Sequence, residues 1–535
     1  MAIRKPSTLL NHAVSRRSTL KGIGATALVG GIPFTRLSMA AAQDEEISAG
    51  GVLNVAISQD TTAGLDAQFT TATLTGNVAQ HVLESLFADD ASFSPKPHLV
   101  SDYELAADGM KLSMSLREGI TFHNGAPLTA ADVVASLNRW GVLSTSGRLA
   151  YGRLDSIEAI DDLTVEMNFN APTGIILTLL AGNSAFIIPA DMAEAAGEDQ
   201  LTFEQSIGTG PFKFLEHEAD RHLRLGRNDD YVDRDEPADG MSGKRTPYLD
   251  EIAFLMVQDP SVRANGISTG EYHWGDTLPP DYMEMLESDP AVTPLLVQPF
   301  QTIMAHLNKK DGLMTDKAMR NALQQTFSQE DALLAGFGRP DFILASPSMT
   351  GPETSWFSES GADNYNNPNP DNVAALLEEA GYDGTPVRWL ANTLSPYNVA
   401  IAEFVRQEAE GAGIPIEIQV TDFATYSDIR ADESQWDVFL TGHGAASHPA
   451  RHVMNDAEWP GWWDNADKDA LVADMIAAAD DAALKTAIDS WTELIYEEMP
   501  SIMIGHQFEL RAHSESVKGF VNTTPFYFWN VGLDS

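Results

Sequence analysis

The stretch "TGHGAASHPARH" (441–452) places His443, His448 and His452 within ten positions of a chain that has thirteen histidines in all. Imidazole nitrogens can ligate a metal, move a proton or line a polar cleft. His448 and His452 are four residues apart, a helix-compatible metal spacing, and His443 would supply a third nitrogen. Pro449 restricts any helix there to its first turn, and the stretch contains no carboxylate. These residues therefore favour a cleft or surface setting over a metal centre. A second candidate, His217-Glu218 in "HEADRH", has its other histidine at position 222, five residues on. A zinc-protease helix needs four, and the segment reads as strand. No G-x-S-x-G elbow, phosphate loop or dinucleotide loop follows a strand. Cysteine is absent, which excludes disulfides, thiolate metal sites, a cysteine nucleophile and a lipid-modified cysteine.

The elements that must position such residues are legible in two styles. "GGVLNVAIS" (50–58) alternates as a strand, "KLSMSLREGITF" (111–122) reads as a strand pair, and "LTAADVVASLNRW" (128–140) starts a helix. Thr129 can cap that helix with Asp132 three residues on, and Val133, Leu137 and Trp140 share one face. "GTGPFKFLEHE" and "RHLRLGRNDDY" (208–231) form a hairpin, and a loop rich in charge, Gly and Pro leads to the strand "EIAFLMV" (251–257). From about residue 300 strands and helices alternate: "VRWLA" (387–391), a helix over 397–413, "PIEIQV" (415–420), a short helix over 423–430 and "WDVFLTG" (436–442). Helical crossovers between strands imply a parallel sheet. Ligands of open sheets bind outside the carboxyl ends of the strands, which makes the loop 441–447 a site candidate on topology alone.

Charge and the N-terminus narrow the setting. Lys and Arg total 33 against 77 Asp and Glu, a net charge of −44 over 535 residues. That length calls for two or three domains, and that charge disfavours nucleic acid and anionic membranes as partners. Residues 1–40 are the opposite: basic, with no acid before Asp44. "SRRSTLK" (15–21) precedes the uncharged run "GIGATALVGGIPF" and the small-residue stretch "LSMAAAQ". Basic, apolar and small-residue regions in that order make a secretory signal over residues 1–42, with cleavage after Ala40 or Ala42. The adjacent Arg16 and Arg17 resemble the twin-arginine type. The uncharged segment 171–190 is broken by Pro172, Gly174, Gly182, Asn183 and Ser184, so it reads as a buried helix, turn and strand rather than a membrane span.

Six stretches in order along the chain resemble family 5 extracellular solute-binding proteins, the oligopeptide-, dipeptide- and nickel-binding receptors of ABC importers. They are 115–140, 208–231, 247–274, "LNKKDGLMTDKAMRNAL" (307–323), "NPDNVAALLEEAGYDG" (369–384) and "FYFWNV" (526–531). The resemblance implies an α/β fold, a two-lobed type II clamshell with an extra subdomain inserted in lobe I. Lobe I would be 51–85, 206–297 and 505–535, the inserted subdomain 86–205, and lobe II 298–504, with hinge strands near "VQPFQTIMAHLN" and "PSIMIGHQ". It implies no catalysis and no cofactor. It further implies a monomer free in the periplasm, a small-molecule or short-peptide ligand, and a membrane permease as partner.

The family's loop Gly-Trp-x-x-Asp-Tyr, whose aspartate grips a peptide's α-ammonium, matches Gly442, His443, Gly444, Ala446 and Ser447, so here the aspartate position is Ala446. By the same resemblance Phe423 and Arg430 face the ligand, and Trp459, Trp462 and Trp463 form an aromatic wall. Asp276 contributes from lobe I. The nickel-binding members, which use a histidine in this region, make a metal-chelate ligand one alternative. A secreted hydrolase with a metal or nucleophile site is the other.

Overall fold

The computed structural model describes residues 47–61, 64–70, 72–182, 184–445 and 447–534; the leader with Arg16 and Arg17, and Ala446 in the loop, lie outside the described residues. Among them an eleven-stranded mixed sheet runs through the molecule. Its first half has the order Phe212–Glu218, His222–Arg227, Glu251–Met256, Val52–Ile57 and Trp274–Leu278. Its second half has the order Val438–Gly444, Val387–Asn392 and Ile416–Thr421. Between the halves lie two long antiparallel strands, Val292–Leu307 and Ser501–Ser514, with the short Ile343–Leu344 on the latter.

Those two strands belong to both halves. Val292 pairs with Ser514 at one end and His306 with Ser501 at the other, while the ladder shifts between Val297 and Gln301. Pro299 lies within that gap and has no N–H to give the ladder. Among the described residues these are the only two strands shared by the half-sheets, and a break in their pairing is where bending costs least.

The expected elements form for local reasons. Thr129 and Asp132 cap the helix Ala130–Leu143, with the Asp132 carboxylate accepting the Thr129 backbone N–H at 2.8 Å; such a cap is worth about 1 kcal/mol. Val133, Leu137 and Trp140 point from its buried face onto a four-stranded sheet. The strand order there is Val100–Leu105, Lys111–Leu116, Thr164–Phe169, Leu154–Ala159. The segment expected as a strand pair at 111–122 is thus one strand, and its partners come from residues 100–105 and 164–169. Helix Ile176–Ala181 and strand Phe186–Ile187 occupy the uncharged segment, and no helix among the described residues is long and apolar enough to cross a membrane.

In the second half, Val387–Asn392 pairs in parallel with both Ile416–Thr421 and Val438–Gly444. Helix Pro396–Gly411 makes the first crossover; proline at its first turn fits the position where no N–H is needed. Gly413, at φ +92°, ends the excursion in a conformation that favours glycine. Apolar cores lie under each half: Leu53, Val55, Phe254, Trp274 and Phe528 under the first, and Ile303, Leu307, Trp389, Ile401 and Val438 under the second. The core beneath the four-stranded sheet continues into Met475, Ile488 and Trp491, whose helices pack beside the second half. Gly174 makes that contact close: a Cβ there would lie 1.8 Å from the Ala478 carbonyl oxygen.

Candidate functional site

A cleft of about 390 Å³ opens between the half-sheets at the gap in their shared strands. Its floor is Val297–Phe300; one wall carries Glu84, Asp89, Asp90 and Arg245, and the other carries Glu353, Gly444, Ala445, Ser447 and Arg451. The volume lies in the range of roughly 300–1,000 Å³ usual for small-ligand sites. The loop after strand Val438–Gly444 reaches it because that strand runs parallel to its neighbour and ends at the cleft.

Two kinds of charge stand in these walls. The first is fully engaged. Arg245 donates to the Met241 carbonyl at 2.6 and 3.1 Å and lies 4.5 Å over the Trp529 ring. Behind it, the Glu84 carboxylate meets His98 Nε2 at 2.6 Å and accepts from Thr209 at 2.7 Å and Tyr231 at 2.9 Å. Burial works to raise the Glu84 carboxyl, yet His98, Arg245 and Thr209 together hold it down at about 2. Asp90 accepts from the Ser92 and Ser94 backbones at 2.9 and 3.0 Å and pairs with Lys96 at 3.1 Å.

The second kind has no such partners. Asp89 Oδ1 is buried without a hydrogen bond. Burial, with Asp90 adding to it, pushes the Asp89 carboxyl up to about 7 against the opposing pull of Arg451. Burial likewise raises Glu353 to about 7. Burial lowers the Arg451 guanidinium, which Asp89 across the cleft helps to keep charged. Among the described residues Arg451 forms no side-chain hydrogen bond or ion pair. Buried polar groups are nearly always satisfied, and Asp89 Oδ1 is not; Glu353, also in the lining, is an exposed residue.

The expected site residues divide. Gly444 and Ser447 line the cleft. Gly442, His443, Phe423, Arg430, Trp459, Trp462, Trp463 and Asp276 do not line it, and each has a physical reason. A Cβ on Gly442 would lie 2.5 Å from Gln301 Oε1, so the position packs against the neighbouring strand. The His443 ring turns into the second half, where its Nε2 lies 2.8 Å from His306 Nε2 and one ring donates to the other. His306 in turn meets Ser501 Oγ at 2.7 Å. Trp459 closes over this pair at 4.7 Å from the His306 ring. Arg430 spreads over the rings of Phe439, Tyr426 and Trp459 at 5.4–5.8 Å. Trp462 stacks on Trp436, Trp463 is buried in the core that continues under the four-stranded sheet, and Phe423 is half exposed beside Tyr426. Asp276 is buried within the first half, where burial and the adjacent Glu509 raise it to about 7. Strand Trp274–Leu278 is an interior strand, buried from Trp274 to Asp276, which keeps that carboxylate from the cleft.

The other two histidines of the opening stretch are occupied locally. His448 Nδ1 accepts the Ala450 N–H at 3.2 Å, and His452 Nδ1 accepts the Met454 N–H at 3.3 Å, each opening its own short turn. Burial lowers all three imidazoles, His443 to about 4 and His448 to about 3, so they are neutral. Among the described residues no group of three or more His, Cys, Asp or Glu is arranged to hold a metal ion. Sequence reasoning passed over Asp89, Glu353 and Arg451. Arg451 stood inside the histidine stretch as its one permanent charge, but nothing local announced that Asp89 would face it across the cleft.

The family model for bacterial extracellular solute-binding proteins, family 5 Middle, matches residues 94–459. A probable peptide ABC transporter periplasmic-binding protein of Sinorhizobium fredii (strain NBRC 101917 / NGR234) is 26% identical over 544 residues, covering 97% of this chain and 99% of that protein. Among solved structures, the ABC transporter substrate-binding protein CtaP of Listeria monocytogenes superposes with a TM-score of 0.78 at 20% identity, covering 91% of this chain and 100% of that one. The periplasmic binding protein DppA of Helicobacter pylori, in complex with the peptide STSA, gives 0.75 at 20% identity over 91% and 99% of the two chains. A family match over well more than half the chain, with a fold shared with such structures, carries the conclusion: the chain belongs to family 5 of the bacterial extracellular solute-binding proteins.

Proposed function

We propose that the protein is the periplasmic receptor of an ABC importer, capturing a small peptide-like solute between two lobes and delivering it to the membrane permease. Lobe I comprises 51–85, 206–297 and 505–535, with 86–205 inserted, and lobe II comprises 298–504. The observation that carries this reading is the cleft of about 390 Å³ at the point where, among the described residues, two strands join the half-sheets. A site there changes shape whenever the hinge bends, so a ligand touching both walls favours the closed form by its differential affinity. The printed descriptions of the Sinorhizobium and Helicobacter proteins support a peptide-like solute and a periplasmic setting. The leader, with Arg16 and Arg17, supports export by the twin-arginine route.

Native mass spectrometry of protein purified from its host, followed by small-angle scattering with and without the co-purified solute, tests the receptor role. A smaller radius of gyration with solute is expected, together with a higher melting temperature, since a hundredfold excess over Kd stabilises the folded state by roughly 2.7 kcal/mol. A bound solute that leaves the radius unchanged would refute the two-lobe mechanism.

A further inference from the structure

We infer that Arg511 is a positioning residue of the solute cleft: it holds in place the irregular segment 522–525 that forms part of the lining. This assignment rests on the receptor reading above and concerns the support of that same site. Between the short strands Val517–Lys518 and Gly532–Leu533 the chain runs irregularly, so its backbone groups must find hydrogen-bond partners elsewhere. Asn522, Thr523, Thr524 and Pro525 reach the cleft from this stretch. Side chains fix its course. Arg511 Nη1 donates to the Thr523 carbonyl at 2.7 Å, and Gln80 Nε2 donates to the Phe526 carbonyl at 2.6 Å. Asn522 Nδ2 in turn donates to the Leu296 carbonyl at 2.8 Å, beside the cleft floor. Of these three donors only Arg511 is charged, and only Arg511 stands outside the lining.

What fixes Arg511 lies behind the cleft. The residue is buried, its Nε donates to Glu509 at 2.8 Å, and its guanidinium lies over the Trp274 and Phe526 rings at 5.7 and 5.5 Å. A guanidinium can serve Glu509 and Thr523 together because its planar fork donates in two directions, where an ammonium is a single point. Glu509 is itself fixed twice. Its backbone pairs with Val297, the last pair before the gap in the shared strands and part of the cleft floor. Its side chain accepts from Thr277 Oγ1 at 3.0 Å. Thr277 stands at φ +48°, a left-handed conformation that a β-branched residue rarely adopts. The ladder between Trp274–Leu278 and Ser501–Ser514 shifts there, and Arg263 donates to the Thr277 and Asp276 carbonyls at 2.7 and 3.1 Å. Such strain persists only where the surroundings over-determine it; here it turns the Thr277 hydroxyl onto the acid that holds Arg511. Fold stability gives no account of the arrangement, since a buried ion pair is often no better than apolar residues of the same volume. Its result is geometric: the strand beside the cleft floor and the segment lining the cleft are tied to one guanidinium.

The test compares the protein purified from its host with Arg511→Lys, which keeps a charge beside Glu509 and loses the second arm of the fork. Amide hydrogen exchange read by mass spectrometry should show protection lost over 520–528 and unchanged in the strands Val52–Ile57 and Glu251–Met256. Retention of an equimolar pool of di-, tri- and tetrapeptides, read by native mass spectrometry, should fall about tenfold, the effect of losing one hydrogen bond from a charged group. Arg320→Lys is the matched control. Arg320 is also buried and donates to the Met314, Thr315 and Glu498 carbonyls, away from the cleft lining. That variant should lower the melting temperature and leave both retention and the exchange over 520–528 as in the parent, which separates positioning from stability alone. Should Arg511→Lys fail to fold, Glu509→Gln, which leaves Arg511 a neutral acceptor, should give a smaller loss of protection over the same stretch. Unchanged exchange over 520–528, or unchanged retention, in folded Arg511→Lys overturns the assignment. If the parent retains no peptide, the peptide-like solute of the proposed function fails, and the exchange over 520–528 alone decides for or against Arg511.

Discussion

Asp89 and Glu353 hold carboxyls that burial pushes up to about 7, far above the usual carboxylate range. The folded protein therefore keeps protons there that the unfolded chain has released, and stability falls as pH rises from about 4 toward 7. Ligand affinity should move the opposite way. A solute group that needs the Asp89 carboxylate ionised would expel a proton on binding below pH 7, so its affinity would strengthen as pH rises through that value. Each coupled proton is worth up to about a tenfold change per pH unit. The charges facing Asp89 are Arg451 across the cleft, Asp90 beside it and Lys96 on the paired strand; Lys96 is already engaged by Asp90. Calorimetry of the co-purified solute between pH 5 and 8 should give a rising affinity that flattens above about 7. In Asp89→Asn the slope should shrink, and the melting temperature of the free variant should vary less over the same range. An affinity independent of pH in the parent protein would show that neither carboxyl meets the ligand.

The elements around the site were readable because each has a local cause. Thr129 and Asp132 announced a helix start, alternation marked the strand at 52–57, and the strand–helix rhythm after residue 387 gave the parallel pairs. The partners of Lys111–Leu116 were not readable, since they depend on chain returning from residues 100–105 and 164–169. The site was legible only as a loop. Gly444 and Ser447 reach the cleft as the end of their strand requires, but the side chain at 443 points the other way, into His306. Ring direction is decided by tertiary neighbours and has no signature in spacing. The contact of Gly174 with Ala478 is of the same kind, and it makes an element-scale prediction. There the turn at Gly174 meets the turn between helices Ala466–Ala477 and Asp481–Glu498 with no room for a Cβ. Gly174→Val should part these surfaces, at about 1–3 kcal/mol for overpacking. If that contact helps hold the closed arrangement, the ligand-free variant should scatter with a larger radius of gyration and bind its solute more weakly, because closure now costs more. A variant with unchanged radius and affinity would mean that this contact plays no part in closure.

At the scale of the whole molecule, charge is distributed with a sharp boundary. The first 40 residues are basic without a single acid, while the complete chain is at −44. An acidic body favours solubility and is repelled by an anionic lipid surface, so in the export proposed above the basic first 40 residues would supply the membrane engagement. Cysteine is absent, so folding before export sacrifices no disulfide chemistry. A folded-state export route is therefore compatible with this composition, and in the proposed export the adjacent Arg16 and Arg17 would be the feature that selects it. Charge alone does not distinguish this route from general secretion, because lysine would serve an electrostatic role equally well. Guanidinium differs from ammonium in its planar, bidentate hydrogen bonding, and a receptor that reads the pair by geometry will reject lysine. Replacing both residues, Arg16→Lys with Arg17→Lys, keeps the net charge and should abolish accumulation in the periplasm, with precursor building up in the cytoplasm. Cell fractionation of the double variant beside the parent decides the matter. A periplasmic yield equal to the parent's would assign the leader to the general secretory route, and the acidic body would then have to cross the membrane unfolded.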